Sequence, residues 1–212
     1  MGAIKVFEKK SVEYDEWFDN NPIIYQSELL ALGRYMPSKG RGLEIGVGTG
    51  RFAQPFGIKE GIEPAKAMAK LAEKRGITVY NAVAENLPFG ENTFDYATIV
   101  TTLCFLQDPF KALQEARRVL RSGGNLIIGF IDKNSKLGKS LSAKSDKSDF
   151  YRYATFYAVE DILEWLNKLE FKSIQICQTL FEEPSKIISV ETVRDNYGNG
   201  GFVVVSGSLY SL

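Results

Sequence analysis

Leu43-Glu44-Ile45-Gly46-Val47-Gly48-Thr49-Gly50 decides the reading of this chain. An apolar stretch runs straight into three glycines spaced two apart, and Arg51-Phe52-Ala53 then reads as the start of a helix. The pattern is strand, tight turn, helix. Glycine suits such a turn because it adopts positive φ without steric cost and lets a ligand lie against bare backbone. The spacing limits the ligand. A dinucleotide fingerprint, Gly-x-Gly-x-x-Gly, needs glycine at position 51, where this chain has arginine. A phosphate-cradling loop needs Gly-Lys-Ser/Thr, and Gly50 is followed by Arg51-Phe52. Glu44, a carboxylate just ahead of the turn, suits a ligand with positive charge better than a pyrophosphate.

The totals bound the rest. A chain of 212 residues makes one domain with room for a substantial core. Its 44% apolar and 25% charged residues are ordinary for a soluble protein. Lys plus Arg and Asp plus Glu both number 26, so no overall field draws nucleic acid or an anionic membrane. No apolar run approaches the ~18 residues of a membrane helix, and the first residues lack a signal peptide's apolar region, so a cytoplasmic location is expected. Cys104 and Cys177 stand far apart and read as reduced core residues. The absence of histidine removes Ser-His and Cys-His nucleophiles and the usual zinc sites, and no metal site is expected.

Around the turn the chain alternates. Residues 11–36 carry Tyr14, Trp17, Phe18, Ile24 and Leu32 at spacings of one or two amphipathic helices, with Pro22 near a start. Tyr14 and Trp17 either pack on the sheet edge or roof the pocket. A short helix interrupted by Pro55 is expected after the glycine turn, then a strand ending in Gly61-Ile62-Glu63. Glu63 lies about 20 residues after Glu44, where an acid can accept ribose hydroxyls, and it also leads the helix expected over 64–75. Strands are expected over 77–80 and 94–100, the second an apolar run typical of a central strand. Thr101 through Leu106, at its carboxyl end, face the same crevice as the glycine turn. Asp108 and Pro109 open the next helix as N-cap and first residue, and Arg117, Arg118 and Arg121 read as helix-end charges. A fifth strand over 125–131 ends at Asp132. Residues 133–149, with five lysines and five serines, read as a lid or insertion. The aromatics of 150–157 either fold over the crevice or anchor a solvated loop. A helix follows from 159, then strands over 171–178 and 201–209 that form an antiparallel edge hairpin.

Three stretches carry a resemblance. Glu-x-Gly-x-Gly-x-Gly at 44–50 resembles the first motif of the class I S-adenosylmethionine-dependent methyltransferases, of the small-molecule, methyltransferase domain 11 type. Ala82 to Phe89 is similar to Gly-Asp-Ala-Glu-x-Leu-Pro-Phe, with Val83 where the family has aspartate. Glu115 to Gly124 resembles the helix and Gly-Gly turn before strand five, and Leu103-Cys104-Phe105-Leu106 replaces the Leu-His-His-Leu of many relatives.

The resemblance implies an α/β fold, a Rossmann-like doubly wound sheet of seven mostly parallel strands whose last strand is antiparallel. It implies one domain over 1–212: a helical cap at 1–40, a cofactor-binding core at 41–132, a lid or acceptor insertion at 133–157, and a helix with edge hairpin at 158–212. The implied cofactor is S-adenosylmethionine, held by Tyr14, Trp17, Glu44, Gly46, Val47, Gly48, Gly50, Glu63, Ala84, Glu85 and Thr101. The implied reaction is in-line methyl transfer to a small-molecule acceptor. No residue is assigned as catalytic, and Asp132, Tyr14 and Tyr153 are candidate bases. Without histidine, the favoured acceptor is an amine, a carboxylate, or an acidified oxygen or carbon. The alternatives are a non-catalytic module binding the same cofactor or its demethylated product, and a nicotinamide-dependent reductase, which Arg51 disfavours. Oligomeric state stays open.

Overall fold

The computed structural model of the chain describes residues 2–209. Its strands are β1 (Gly42–Ile45), β2 (Glu60–Ile62), β3 (Thr78–Tyr80), β4 (Phe94–Val100), β5 (Leu120–Ile131), β6 (Lys172–Thr179), β7 (Arg194–Asp195) and β8 (Phe202–Ser208). They form one sheet in the order β3-β2-β1-β4-β5-β8-β6-β7. Pairing is parallel from β3 through β5, and β8 runs antiparallel to both β5 and β6. Order reverses between β1 and β4, which opens a crevice off their carboxyl ends, where the glycine turn begins.

The helices are α1 (Gly2–Lys9), α2 (Ser11–Asn20), α3 (Pro22–Gly33), α4 (Lys66–Lys74), α5 (Pro109–Val119), α6 (Lys136–Ala143) and α7 (Val159–Lys168). Leu113 and Ala116 of α5 and Ile162 and Leu166 of α7 fill the core on one face of the sheet. Phe18, Ile24, Leu32 and Ala72 of α2, α3 and α4 fill a second cluster with Val204 and Ile127. Every residue of β1 is buried, because both faces are covered. Asp108 caps α5 as expected, its carboxylate accepting from the Lys111 amide at 2.9 Å. No helix among the described residues is long and apolar enough to cross a membrane.

Two expectations need correction, the strand count and the helix after the glycine turn. The sheet has eight strands rather than seven: β7, inside the turn-rich 182–200 stretch, pairs with Cys177 and Gln178, and two residues are too few to show a period. The expected antiparallel pairing at this edge is present: the last strand pairs with β6 and lies between β5 and β6. All of Phe202 to Ser206 is buried, so its backbone needs partners on both sides. Residues 51–57 form successive turns rather than a helix, since Pro55 has no N–H and crowds the residue before it. Residues 133–149 hold α6, capped by Ser135, whose Oγ accepts from the Gly138 amide at 2.9 Å.

Candidate active site

The glycine turn takes the backbone where other residues are strained: φ is +75° at Gly46, +55° at Gly48 and +84° at Gly50. The amides of Gly46 and Val47 both donate to the Ile62 carbonyl at 2.9 Å, which pins the turn to β2. A Cβ on Gly46 would run into the Thr102 side chain. On Gly48 it would meet nothing nearer than Met68 Cε at 3.4 Å and Tyr14 Cε1 at 3.9 Å. Gly46 is therefore a packing requirement, while Gly48 offers bare backbone beneath the Tyr14 ring.

Two acids border this turn. Glu63 is buried, its Oε2 accepting from the Gly48 amide at 3.1 Å and its Oε1 from the Ala65 amide at 2.8 Å. Burial still outweighs those amides and pushes its carboxyl up to about 7. Glu44 is 1% exposed and its Oε2 has no hydrogen-bond partner. Burial holds that carboxyl well above the usual range. A buried carboxylate with an unmet oxygen is costly unless a cation or donor completes it.

The roof comes from the first helices. The Tyr14 ring meets Phe7, Phe18 and Phe150 edge-on at centroid distances of 5.5, 5.4 and 5.9 Å. Arg51 fastens this roof: its guanidinium bonds Asp15 (Nε–Oδ1, 2.9 Å) and Asp19 (Nη2–Oδ2, 2.6 Å) on α2. Arg75 adds a bond to Asp15 at 2.8 Å and one to the Thr49 carbonyl at 2.9 Å. Sequence reasoning treated Arg51 only as a missing glycine. The clue it passed over was the acid pair at 15 and 19, one helical turn apart.

Beyond the turn lies a cavity of about 480 Å³ walled by α2, α3, α6, the segment after β4, and the 150–157 segment. Tyr14, Trp17 and Thr101 line it, so three residues expected at the cofactor also face this chamber. Thr101 sits at φ +50°, an uncommon conformation for a β-branched residue and one concentrated at functional sites. Phe105 packs edge-on to Phe7 at 5.0 Å, and the Cys104 carbonyl accepts from the Thr155 amide at 2.8 Å, joining the wall to the 150–157 segment. Burial raises the Cys104 thiol to about 12 and lifts the Tyr14 phenol above its usual range.

Glu28, on α3, also lines the cavity. It is 5% exposed, and among the described residues no group donates to its carboxylate. Burial pushes it up to about 8. Sequence reasoning missed it, although a lone acid within the otherwise apolar run 22–33 was a usable signal.

Other predicted residues stand apart. The Glu85 carboxylate accepts from the amides of Gln107 at 3.0 Å and Asp108 at 3.2 Å, ahead of α5. Ala84 is buried, beside a Val83 that is 40% exposed. Asp132 is buried and accepts from the Asn134 amide at 3.2 Å, shaping the turn after β5 without lining the cavity. Tyr153 is exposed and packs on Gly2. Of the three candidate bases only Tyr14 faces the chamber. Arg118 bonds Glu115 and the carbonyls of Leu87 and Phe89, and so holds the 82–89 segment in place. Among the described residues no cluster of three metal-ligating side chains occurs.

Residues 43–128 match the family model described as methyltransferase domain. An uncharacterized protein of Methanocaldococcus jannaschii is 53% identical over 96% of this chain and 98% of its own length. A crystal structure of a SAM-dependent methyltransferase, possible histamine N-methyltransferase, from Thermotoga maritima superposes with a TM-score of 0.93 at 45% identity, covering 96% of this chain and 98% of that one. A demethylmenaquinone methyltransferase of Anoxybacillus flavithermus is 26% identical over 98% of this chain and 90% of its length.

Proposed function

Because the chain belongs to the S-adenosylmethionine-dependent methyltransferases, we propose that it methylates a small molecule held in the cavity beneath α2 and α3. The observation that carries this reading is the junction at Tyr14, whose ring covers Gly48 on one side and lines the 480 Å³ cavity on the other. Donor seat and acceptor chamber meet there.

The residues fit the cofactor. Gly48 leaves backbone bare, the Glu44 Oε2 lacks a partner, and Glu63 is held by two amides with lone pairs to spare. In this reading Glu44 faces the cationic end, Glu63 takes the ribose hydroxyls, the Ala84 amide meets the adenine, and Tyr14 and Trp17 form the roof. When bound, S-adenosylmethionine supplies a methyl carbon already activated by a positively charged sulfur.

The chain's own part is to seat and orient the two molecules and keep water out. The aromatic walls and the Arg51 clamp serve that end. The Tyr14 phenol and Cys104 thiol both hold their protons more tightly than usual, so neither is a ready base, and the acceptor must be nucleophilic without one. The Thermotoga relative's name, a possible histamine N-methyltransferase, points to a nitrogen acceptor, and the Anoxybacillus relative's name to demethylmenaquinone. Residence in the cytoplasm belongs to the same reading, in keeping with two unpaired cysteines.

Calorimetry with S-adenosylmethionine, its demethylated product and NAD tests the cofactor, and a metabolite panel assayed for demethylated product tests turnover. The first two ligands should bind and NAD should not. NAD binding without the other two would overturn the reading, and cofactor binding with no acceptor turned over would make the chain a binding module.

A further inference from the structure

If the cavity is the acceptor chamber, Glu28 is the group in it that the methyl-transfer reading leaves unused. Asn21, the N-cap of α3, and Ile24 and Glu28 within α3 are spaced three and four residues apart, and all three line the cavity. The surrounding walls are aromatic, from Tyr14, Trp17, Phe105, Phe150 and Tyr151, and no lysine or arginine lines the chamber. The other acid there, Glu13, is exposed and paired with Lys10 at 3.0 Å. Glu28 is thus a deeply buried acid without a protein partner, facing space large enough for a ligand.

Three kinds of occupant can be weighed. An anion would be repelled by Glu28, and a neutral apolar molecule would leave the carboxyl unmatched. An ammonium would gain a charge-assisted hydrogen bond from the carboxylate and cation–π contact with the ring faces. We propose that Glu28 anchors a protonated amine, so that the substrate class is a flat apolar body carrying an amine as its handle, with the nucleophilic acceptor atom elsewhere on that body, because an ammonium nitrogen has no lone pair to take the methyl group. This assignment rests on reading the cavity as the acceptor chamber. Glu28 acts as a specificity-determining positioning residue.

The electrostatics bear on the protonation of this acid. Its carboxyl is raised to about 8 by burial alone. The titratable groups around it are Tyr14 and Glu13 of α2, Tyr25 of α3, Cys104 after β4, and Tyr151 and Tyr157, with Glu44 of β1 also acting on Tyr14. None is cationic. At pH 7 an arriving ammonium should therefore expel the Glu28 proton.

The test uses three probes on one body, 2-phenylethylamine, 2-phenylethanol and phenylacetate, titrated by calorimetry in buffers of different ionisation heat. The amine should bind about tenfold or more tighter than the alcohol, a gap of ~1.4 kcal/mol, with release of close to one proton at pH 7. In Glu28→Gln both the preference and the proton release should vanish, while Glu13→Gln should keep them. No amine preference in the wild type, or a preference that survives in Glu28→Gln, overturns the proposal. Should Glu28→Gln not fold, the wild-type preference and proton release decide alone. Parallel titration with the demethylated cofactor separates the two readings. Cofactor binding without amine preference sinks the Glu28 assignment alone, and amine preference without cofactor binding sinks the methyltransferase reading while leaving Glu28 an amine site.

Discussion

Arg51 grips Asp15 through two parallel hydrogen bonds, Nε to Oδ1 at 2.9 Å and Nη2 to Oδ2 at 3.0 Å, across the boundary between the glycine turn and α2. The Tyr25 hydroxyl also donates to the Arg51 carbonyl, so one residue ties the turn to both α2 and α3. Burial alone would raise Asp15, but the guanidiniums of Arg51 and Arg75 overcome it and hold the carboxyl at about 2. The residue that breaks the dinucleotide pattern is thus the bolt between the glycine turn and the first helices.

Arg51→Gly, which completes Gly-x-Gly-x-x-Gly, should not create NAD binding. It should cost ~2 kcal/mol in chemical denaturation, between an exposed and a fully buried pair, and should weaken binding of the demethylated cofactor. NAD binding by this variant, or unchanged stability, would contradict the clamp.

The glycines should differ. Gly46→Ala places a methyl group against Thr102 at φ +75° and should cost ~3 kcal/mol or prevent folding. Gly48→Ala has room and should cost only ~1 kcal/mol, yet lose about tenfold in cofactor affinity, ~1.4 kcal/mol. Equal loss of stability in the two variants would remove the distinction between packed and ligand-facing glycine.

Two buried acids predict a pH dependence. Glu28 and Glu63 are raised from the usual carboxyl range to about 8 and about 7, so the folded protein binds more protons than the unfolded chain between roughly pH 4.5 and 8. Their contribution is fully present below the unfolded value and is lost as pH rises through the folded ones. Thermal unfolding of the ligand-free protein should therefore shift downward from pH 5 to pH 8, and Glu28→Gln should flatten the upper part of that shift. A melting curve that rises steadily over this window would count against both assignments.

Val83 stands where the family carries aspartate, and it is 40% exposed, so Val83→Asp should be tolerated with little change in stability. If the 82–89 segment borders the adenine, this variant should bind the demethylated cofactor severalfold more tightly by calorimetry. No gain would place the adenine elsewhere.

The sheet's alternation, the glycine turn, the cap at Asp108 and the helix start at Pro22 were legible because they rest on local chemistry: period, positive φ, and unsatisfied helix ends. Glu44 and Glu63 were singled out by position within that pattern. What local chemistry cannot convey is distance between remote segments. Arg51 meets Asp15 across 36 positions, and Thr155 meets Cys104 across a longer gap still, through contacts with no sequence period. The placing of β8 inside the sheet and the two-residue β7 belong to the same class, since strand order is decided by which buried edges find partners. Glu28 shows the division most plainly. In sequence it is the lone charged residue of its helix, and only the closing of α2, α3 and the 150–157 segment around one cavity makes it a buried acid, without a partner among the described residues, facing that cavity. The sequence alone determined the fold class and the methyl-donor family. The tertiary structure decided where the cavity lies and which buried acid faces it, because burial and electrostatic environment exist only once distant segments are packed together.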